Sequence, residues 1–296
     1  SNIDSRFYEI YRNVGSSYAT KWFYDYCKDI DYIREYRIKK DLFWQVDSPY
    51  GNIDITINLS KPEKDPKTIA ALKNSVQSSY PKCQLCKENV GYKGRANHPA
   101  RENLRVIPLR LDGDSFFFQF SPYSYYNEHC IVFNEHHVPM VINHKCFSHL
   151  IDFVSQFPAY MLGSNADLPI VGGSILNHDH YQGGNYDFPM FHAKEISSFS
   201  FSGFEDVKAS RLYWPLSVIR LKSENKNSLL CLADKILSCW RGYTDEGSDI
   251  FSETESVPHN TITPICHKEE SEFILDLTLR NNITTKEHPL GLYHPH

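Results

Sequence analysis

The sequence predicts an α+β fold: an N-terminal helical segment followed by two consecutive strand–helix–strand units. Three observations predict it. Phe7, Ile10 and Tyr11 fall at helix spacing within residues 3–45. Beyond Cys83, two blocks of the chain repeat the order strand, helix, strand, which suggests an internal duplication. Tyr (19) and Phe (18) far outnumber Met (3), a composition that suits half-buried pleated surfaces.

The elements follow in order. Gly51-Asn-Ile-Asp-Ile-Thr-Ile-Asn58 alternates strictly, so Ile53, Ile55 and Ile57 share one face of a strand. Lys61 to Lys67 holds two prolines among polar residues and reads as a surface connection. In the first repeat, His129-Cys-Ile-Val-Phe133 reads as a strand. A helix follows through Phe147, Leu150, Ile151, Val154 and Phe157, then a strand over Gly173–His180. In the second, Leu216–Leu221 is a strand. Leu229, Leu232, Ala233, Ile236, Leu237 and Trp240 mark a helix, and Asn260–Ile265 and Glu272–Leu279 are strands. This reading divides the chain into 1–80, 81–200 and 201–296.

The 296 residues can bury one large core or two modest ones. A net charge of −5 with no basic run argues against a broad nucleic-acid footprint, while leaving room for a local phosphate cluster. No stretch approaches the roughly 20 apolar residues needed to span a bilayer, and the start lacks a signal-peptide pattern. Eight cysteines with one closely spaced pair do not make a disulfide scaffold, so a reducing cytoplasm is the expected home.

Four segments carry chemistry. Asn177-His-Asp-His-Tyr-Gln-Gly-Gly184, read as a strand, puts His178, His180 and Gln182 on one face and ends at glycines where backbone could approach a ligand. Imidazole can ligate metal, or attack phosphorus without a base because its ordinary pKa is about 6.5. One lone pair cannot do both, so the two histidines are expected to divide these tasks. Cys83-Gln-Leu-Cys86 has the spacing of half a zinc site, with His137 and His178 as candidate completing ligands, or else holds two unrelated thiols. His98-Pro-Ala-Arg-Glu-Asn-Leu-Arg105 brackets Asn103 with two arginines that could hold phosphate. Ser164–Ser174 offers Gly172 and Gly173 for close approach, with Asn165 and Ser174 as neutral hydrogen bonders. No G-x-x-x-x-G-K-[ST] loop is present.

These residues resemble a family. Phe120-Ser-Pro-Tyr-Ser-Tyr-Tyr-Asn-Glu-His-Cys-Ile-Val132, Gly163–Ser174, His178-Asp-His-Tyr-Gln-Gly-Gly184, Pro258–Pro264 and His288–His296 are similar to the bacterial (class II) galactose-1-phosphate uridylyltransferases. The resemblance implies two histidine-triad-like halves with mainly antiparallel sheet. It implies UMP exchange between UDP-glucose and galactose 1-phosphate in the Leloir pathway, by ping-pong through a uridylyl-histidine. His180 would be the nucleophile and Gln182 would bond the transferred phosphoryl group. Cys83, Cys86, His137 and His178 would hold zinc, with Asn103, Arg105, Asn165 and Ser174 toward the nucleotide. A homodimer is plausible for such a fold.

Two departures qualify this. The second-half strand reads Leu275-Asp-Leu-Thr278 in place of H-x-H, so no second metal is expected. Family members also run past His296 and begin before Ser1, so the 201–296 half is expected to be truncated; were this the entire protein, uridylyl-enzyme formation would be expected to survive with sugar exchange impaired. A hydrolase or phosphorylase using the same histidine, or a non-catalytic zinc-stabilised nucleotide-binding module, are the alternatives.

Overall fold

The computed structural model describes residues 2–59, 80–95, 97–172 and 175–293. The surface connection expected at 61–67, and Ser174, lie outside them. Helices α1 (Asn2–Asn13), α2 (Ser16–Asp29) and the single turn α3 (Glu35–Ile38) open the chain. The helical reading stops short of residue 45. Leu42–Ser48 is strand β1, paired antiparallel with β2 (Gly51–Ile57) across a tight turn at Gly51. Phe43, Trp44 and Val46 are strand formers, and they lie on an exposed hairpin.

Ten strands form one antiparallel sheet. They are β3 (Ile107–Leu111), β4 (Asp114–Phe120), β5 (Cys130–Asn134), β6 (Met161–Ser164), β7 (His180–Gly184), β8 (Glu195–Phe199), β9 (Lys208–Leu212), β10 (Val218–Ser223), β13 (Asn260–Glu269) and β14 (Glu272–Asn281). A separate ribbon pairs β11 (Glu253–Thr254) with β12 (Val257–Pro258). The sheet order is β3-β4-β5-β7-β6-β13-β14-β10-β9-β8. Read outward from the centre, both halves share one plan: three strands in succession, a helix, then two strands of which the later inserts between the earlier ones. The halves meet where β6 pairs β13 at Gly163–Ile265. The duplication is therefore one of topology. Gly163 suits the meeting point, because a Cβ there would lie 3.0 Å from both Pro264 O and Ile265 Cγ1.

Helices α4 (His144–Gln156) and α5 (Lys226–Arg241) pack on one face of the sheet and against each other. Each begins at an asparagine cap: Asn143 accepts from Cys146 N, and Asn225 from Asn227 N and Ser228 N. Beneath them lie Phe116, Phe118, Val132, Leu162, Tyr181, Ile262, Leu275 and Leu277, joined by Phe7 and Phe23 of α1 and α2. Alternation along β7 thus sends Tyr181 into the core and leaves His180 and Gln182 on the opposite face. No helix among the described residues is long and apolar enough to cross a membrane.

Two expectations about strands need correction. Residues 175–179 are not strand; β7 begins only at His180. The segment before it turns, with Asp179 N bonded to Val138 O and Met140 N to Leu176 O. His178 therefore does not share a strand face with His180 and Gln182. Strand β6 was also missed, being only four residues long and holding a glycine.

Candidate functional site

Four potential ligands converge where the 80–89 turns meet the loop after β5. Cys83 Sγ and Cys86 Sγ are 3.5 Å apart. His178 Nδ1 is 3.1 Å from Cys83 Sγ and 3.7 Å from Cys86 Sγ, and His137 Nδ1 is 3.2 Å from Cys86 Sγ. All four donor atoms lie within 4.8 Å of one another. Tetrahedral zinc with bonds of about 2.3 Å to sulfur and about 2.1 Å to nitrogen separates its donors by roughly 3.5–3.8 Å, so the set fits such an ion. The other nitrogen of His178 donates to Asn134 O at 2.9 Å, which leaves Nδ1 unprotonated and free to ligate. Burial pushes the Cys83 thiol up to about 12, a cost that a bound cation reverses.

A second layer, unseen in the sequence, shapes this knuckle. Asn89 is fully buried and donates to both Cys83 O and Cys86 O at 2.8 Å, while its Oδ1 meets His98 Nε2 at 2.6 Å. An asparagine three residues beyond the second cysteine was the signal available.

The backbone carbonyl of His178 accepts from His180 Nδ1 at 2.8 Å. This fixes the His180 tautomer and leaves its Nε2 lone pair facing Asn165 Nδ2 at 3.2 Å. Burial lowers the His180 pKa, keeping the ring neutral and nucleophilic. Two residues further on, Asp167 accepts from Arg241 Nη2 (2.7 Å), Ile142 N (2.9 Å) and Thr261 Oγ1 (2.5 Å). Gln182 Oε1 lies 3.2 Å from His129 Nε2, and His129 Nδ1 is 2.8 Å from Tyr123 O. His129 was not singled out from the sequence.

Gly183 and Gly184 have a different role from the one expected. A Cβ on Gly183 would lie 2.2 Å from Met161 O, and one on Gly184 would lie 2.8 Å from Asn127 O. Both glycines admit neighbouring protein within the sheet rather than a ligand. Behind β7, Tyr181 OH bonds His149 Nδ1 at 2.9 Å, and His149 Nε2 bonds Asp114 at 2.8 Å.

Asn103 and Arg105 are not brought to His180. Asn103 donates to Ile30 O at 2.7 Å, and Arg105 to Glu102 O and Leu104 O. Asn103 lines a cavity of about 160 Å³ with Arg34, Arg37 and Arg101. In the second half, β14 carries Asp276 in a buried bidentate pair with Arg220, both bonds being 2.7 Å. The same guanidinium donates to Phe191 O and Met190 O.

Residues 1–139 match the galactose-1-phosphate uridyl transferase N-terminal domain, and residues 153–296 its C-terminal domain. The galactose-1-phosphate uridylyltransferase of Butyrivibrio fibrisolvens is 60% identical over 270 residues, covering 91% of this chain and 69% of that protein. That of Halalkalibacterium halodurans is 56% identical over 290 residues, covering 98% of this chain and 57% of the relative. The chain thus spans under two thirds of the length of most such relatives. Among solved structures, yeast Ap4A phosphorylase aligns over 88% of this chain and 80% of its own, at 12% identity and a TM-score of 0.46. On these sequence matches, this chain belongs to the galactose-1-phosphate uridyl transferase family.

Proposed function

We propose that the chain carries UMP between UDP-glucose and galactose 1-phosphate through a covalent intermediate on His180. The observation that carries this reading is the fixed tautomer of His180, with Nδ1–H held by His178 O and Nε2 beside Asn165, on the same face of β7 as Gln182. The sequence relatives named for this activity support the choice of substrates.

In the first step Nε2 attacks the α-phosphorus, an N–P bond forms, and the P–O bond to glucose 1-phosphate breaks, the electron pair leaving on that phosphate. In the second, a phosphate oxygen of galactose 1-phosphate attacks the same phosphorus. UDP-galactose departs and neutral His180 returns. Asn165, beside Nε2, orients the ring, and Gln182 serves the phosphoryl oxygens. Asn103, Arg105 and Ser174 are assigned to the nucleotide side.

Zinc is the ion this donor set suits, in a structural role: four protein ligands leave no open position. When bound, it would hold the His178 backbone in place, and with it the carbonyl that orients His180.

The eight cysteines are all free thiols, which favours the cytoplasm. Leu42, Phe43, Trp44 and Val46, exposed on the β1–β2 hairpin, favour a homodimer that covers them.

Isotope exchange tests the reaction. Labelled glucose 1-phosphate should enter UDP-glucose with no galactose 1-phosphate present, as ping-pong chemistry requires. Absence of exchange, with nucleotide still bound, would favour the non-catalytic module. UMP release in water would favour a hydrolase.

A further inference from the structure

His129 stands just before β5 and is only 3% exposed. Its ring is held on all sides. Nδ1 lies 2.8 Å from Tyr123 O, Nε2 lies 3.2 Å from Gln182 Oε1, and the rings of Tyr125 and Tyr126 are centred 5.2 and 4.9 Å away. Its own carbonyl accepts from Ser121 N at 2.8 Å. Gln182 is half-buried, and His129 is the only hydrogen-bond partner its side chain has among the described residues.

We propose that His129 is a positioning residue for UMP transfer: it donates Nε2–H to the Gln182 amide oxygen and so turns the Gln182 NH2 toward the transferred phosphoryl group. The proposal rests on the transfer reading above. An amide has two unlike ends, one accepting and one donating, while phosphoryl oxygens only accept. A glutamine free to turn over would present its oxygen to theirs and repel them. A donor held against the amide oxygen in the nucleotide complex removes that option.

The proposed contact also requires a particular protonation state. Both ring nitrogens face carbonyl oxygens, and an imidazole donates to two acceptors only as imidazolium. Burial opposes that charge. The incoming anionic phosphoryl group favours it, as do two tyrosine rings within cation–π range. Among the described residues, the groups acting on its titration are burial, Tyr123 and Gln182, with no carboxylate. Nucleotide binding is therefore coupled to uptake of a proton on His129.

A double-mutant cycle on the full chain tests the positioning role, with the rate of uridylyl-enzyme formation from UDP-glucose as readout. His129→Leu should slow the step by about tenfold, the order expected for a lost hydrogen bond to a reacting group. It should add nothing in a Gln182→Ala background, and His129→Gln, which keeps an N–H donor, should recover part of the rate. Equal slowing in both backgrounds, or a wild-type rate in His129→Leu, would overturn the proposal. If the wild-type chain forms no adduct, the transfer reading itself fails. The His129 contact is then judged by nitrogen NMR of the ring with UMP bound. Both nitrogens protonated, and perturbed by Gln182→Ala, is the expected result; a neutral ring in the complex overturns it.

Discussion

His178 faces two ways: its ring nitrogen lies 3.1 Å from Cys83 Sγ, while its carbonyl oxygen accepts from His180 Nδ1 at 2.8 Å. One residue therefore ties a ligand cluster to the tautomer of the neighbouring imidazole. The two histidine rings are turned to different neighbours by a turn before β7, not by shared strand geometry.

On the proposed mechanism, that tie predicts that losing the metal slows the chemistry. Cys83→Ser should lower zinc content and slow uridylyl-enzyme formation by about 10- to 100-fold, the usual cost of disturbing a group that orients a site. Chelator treatment of the wild type should do the same, reversibly on adding zinc. A zinc-free chain that reacts at the wild-type rate would break the link.

Asn165→Ala should leave zinc content unchanged. It removes one hydrogen bond, worth about 1 kcal/mol, from the Nε2 side of His180. Rapid-quench measurement should show adduct formation slowed about fivefold, and unaltered kinetics would remove Asn165 from the site.

Phe118 joins the N-terminal helices to the first half of the sheet. It is fully buried, and its ring centroid lies 5.0–6.4 Å from those of Phe120, Phe23, Phe157, Phe153 and Tyr160. Phe118→Ala should cost about 3–5 kcal/mol in denaturant unfolding. A loss under about 1 kcal/mol would mean that α1 and α2 are not integral to this core.

His267 gives a pH signature. It is buried and stacked 3.7 Å from the Phe191 ring, and its Nε2 lies 3.4 Å from Glu269 Oε1 without hydrogen-bond geometry at either ring nitrogen. Burial, aided by Arg220, Lys222 and His192, lowers its pKa to about 3. The unfolded chain, with a histidine pKa near 6.5, therefore takes up a proton that the fold refuses. This contribution is whole above about pH 6.5 and is lost progressively as pH falls toward 3, each unit being worth about 1.36 kcal/mol. His267→Leu should flatten that part of the stability curve relative to wild type, and parallel curves would refute the assignment.

Much of this was legible in the chain. The helix periodicity around Phe147 and Leu229 marks α4 and α5, and the second-half strands at 260 and 272 fall where alternation put them. Cys83, Cys86, His137 and His178 gather as expected. Less legible was anything set by tertiary contact. Residues 175–179 were misread as strand because Asn177 and His178 follow apolar residues in a strand-like run, while the backbone bonds that turn the segment come from Val138 and Met140. His129 and Asp167 escaped notice because each acts through partners distant in sequence, whereas Asn89 and His98 were overlooked despite lying close to Cys86. Asn103 and Arg105 looked like phosphate ligands by residue type, yet bond to nearby carbonyls.

Intact-protein mass spectrometry after mixing with UDP-glucose tests the nucleophile most directly. The quench must be neutral to basic, because a phosphoramidate is acid-labile. The wild-type chain should gain the mass of one UMP, and His180→Ala should gain none. An adduct of equal extent on His180→Ala would contradict the assignment of His180 as nucleophile.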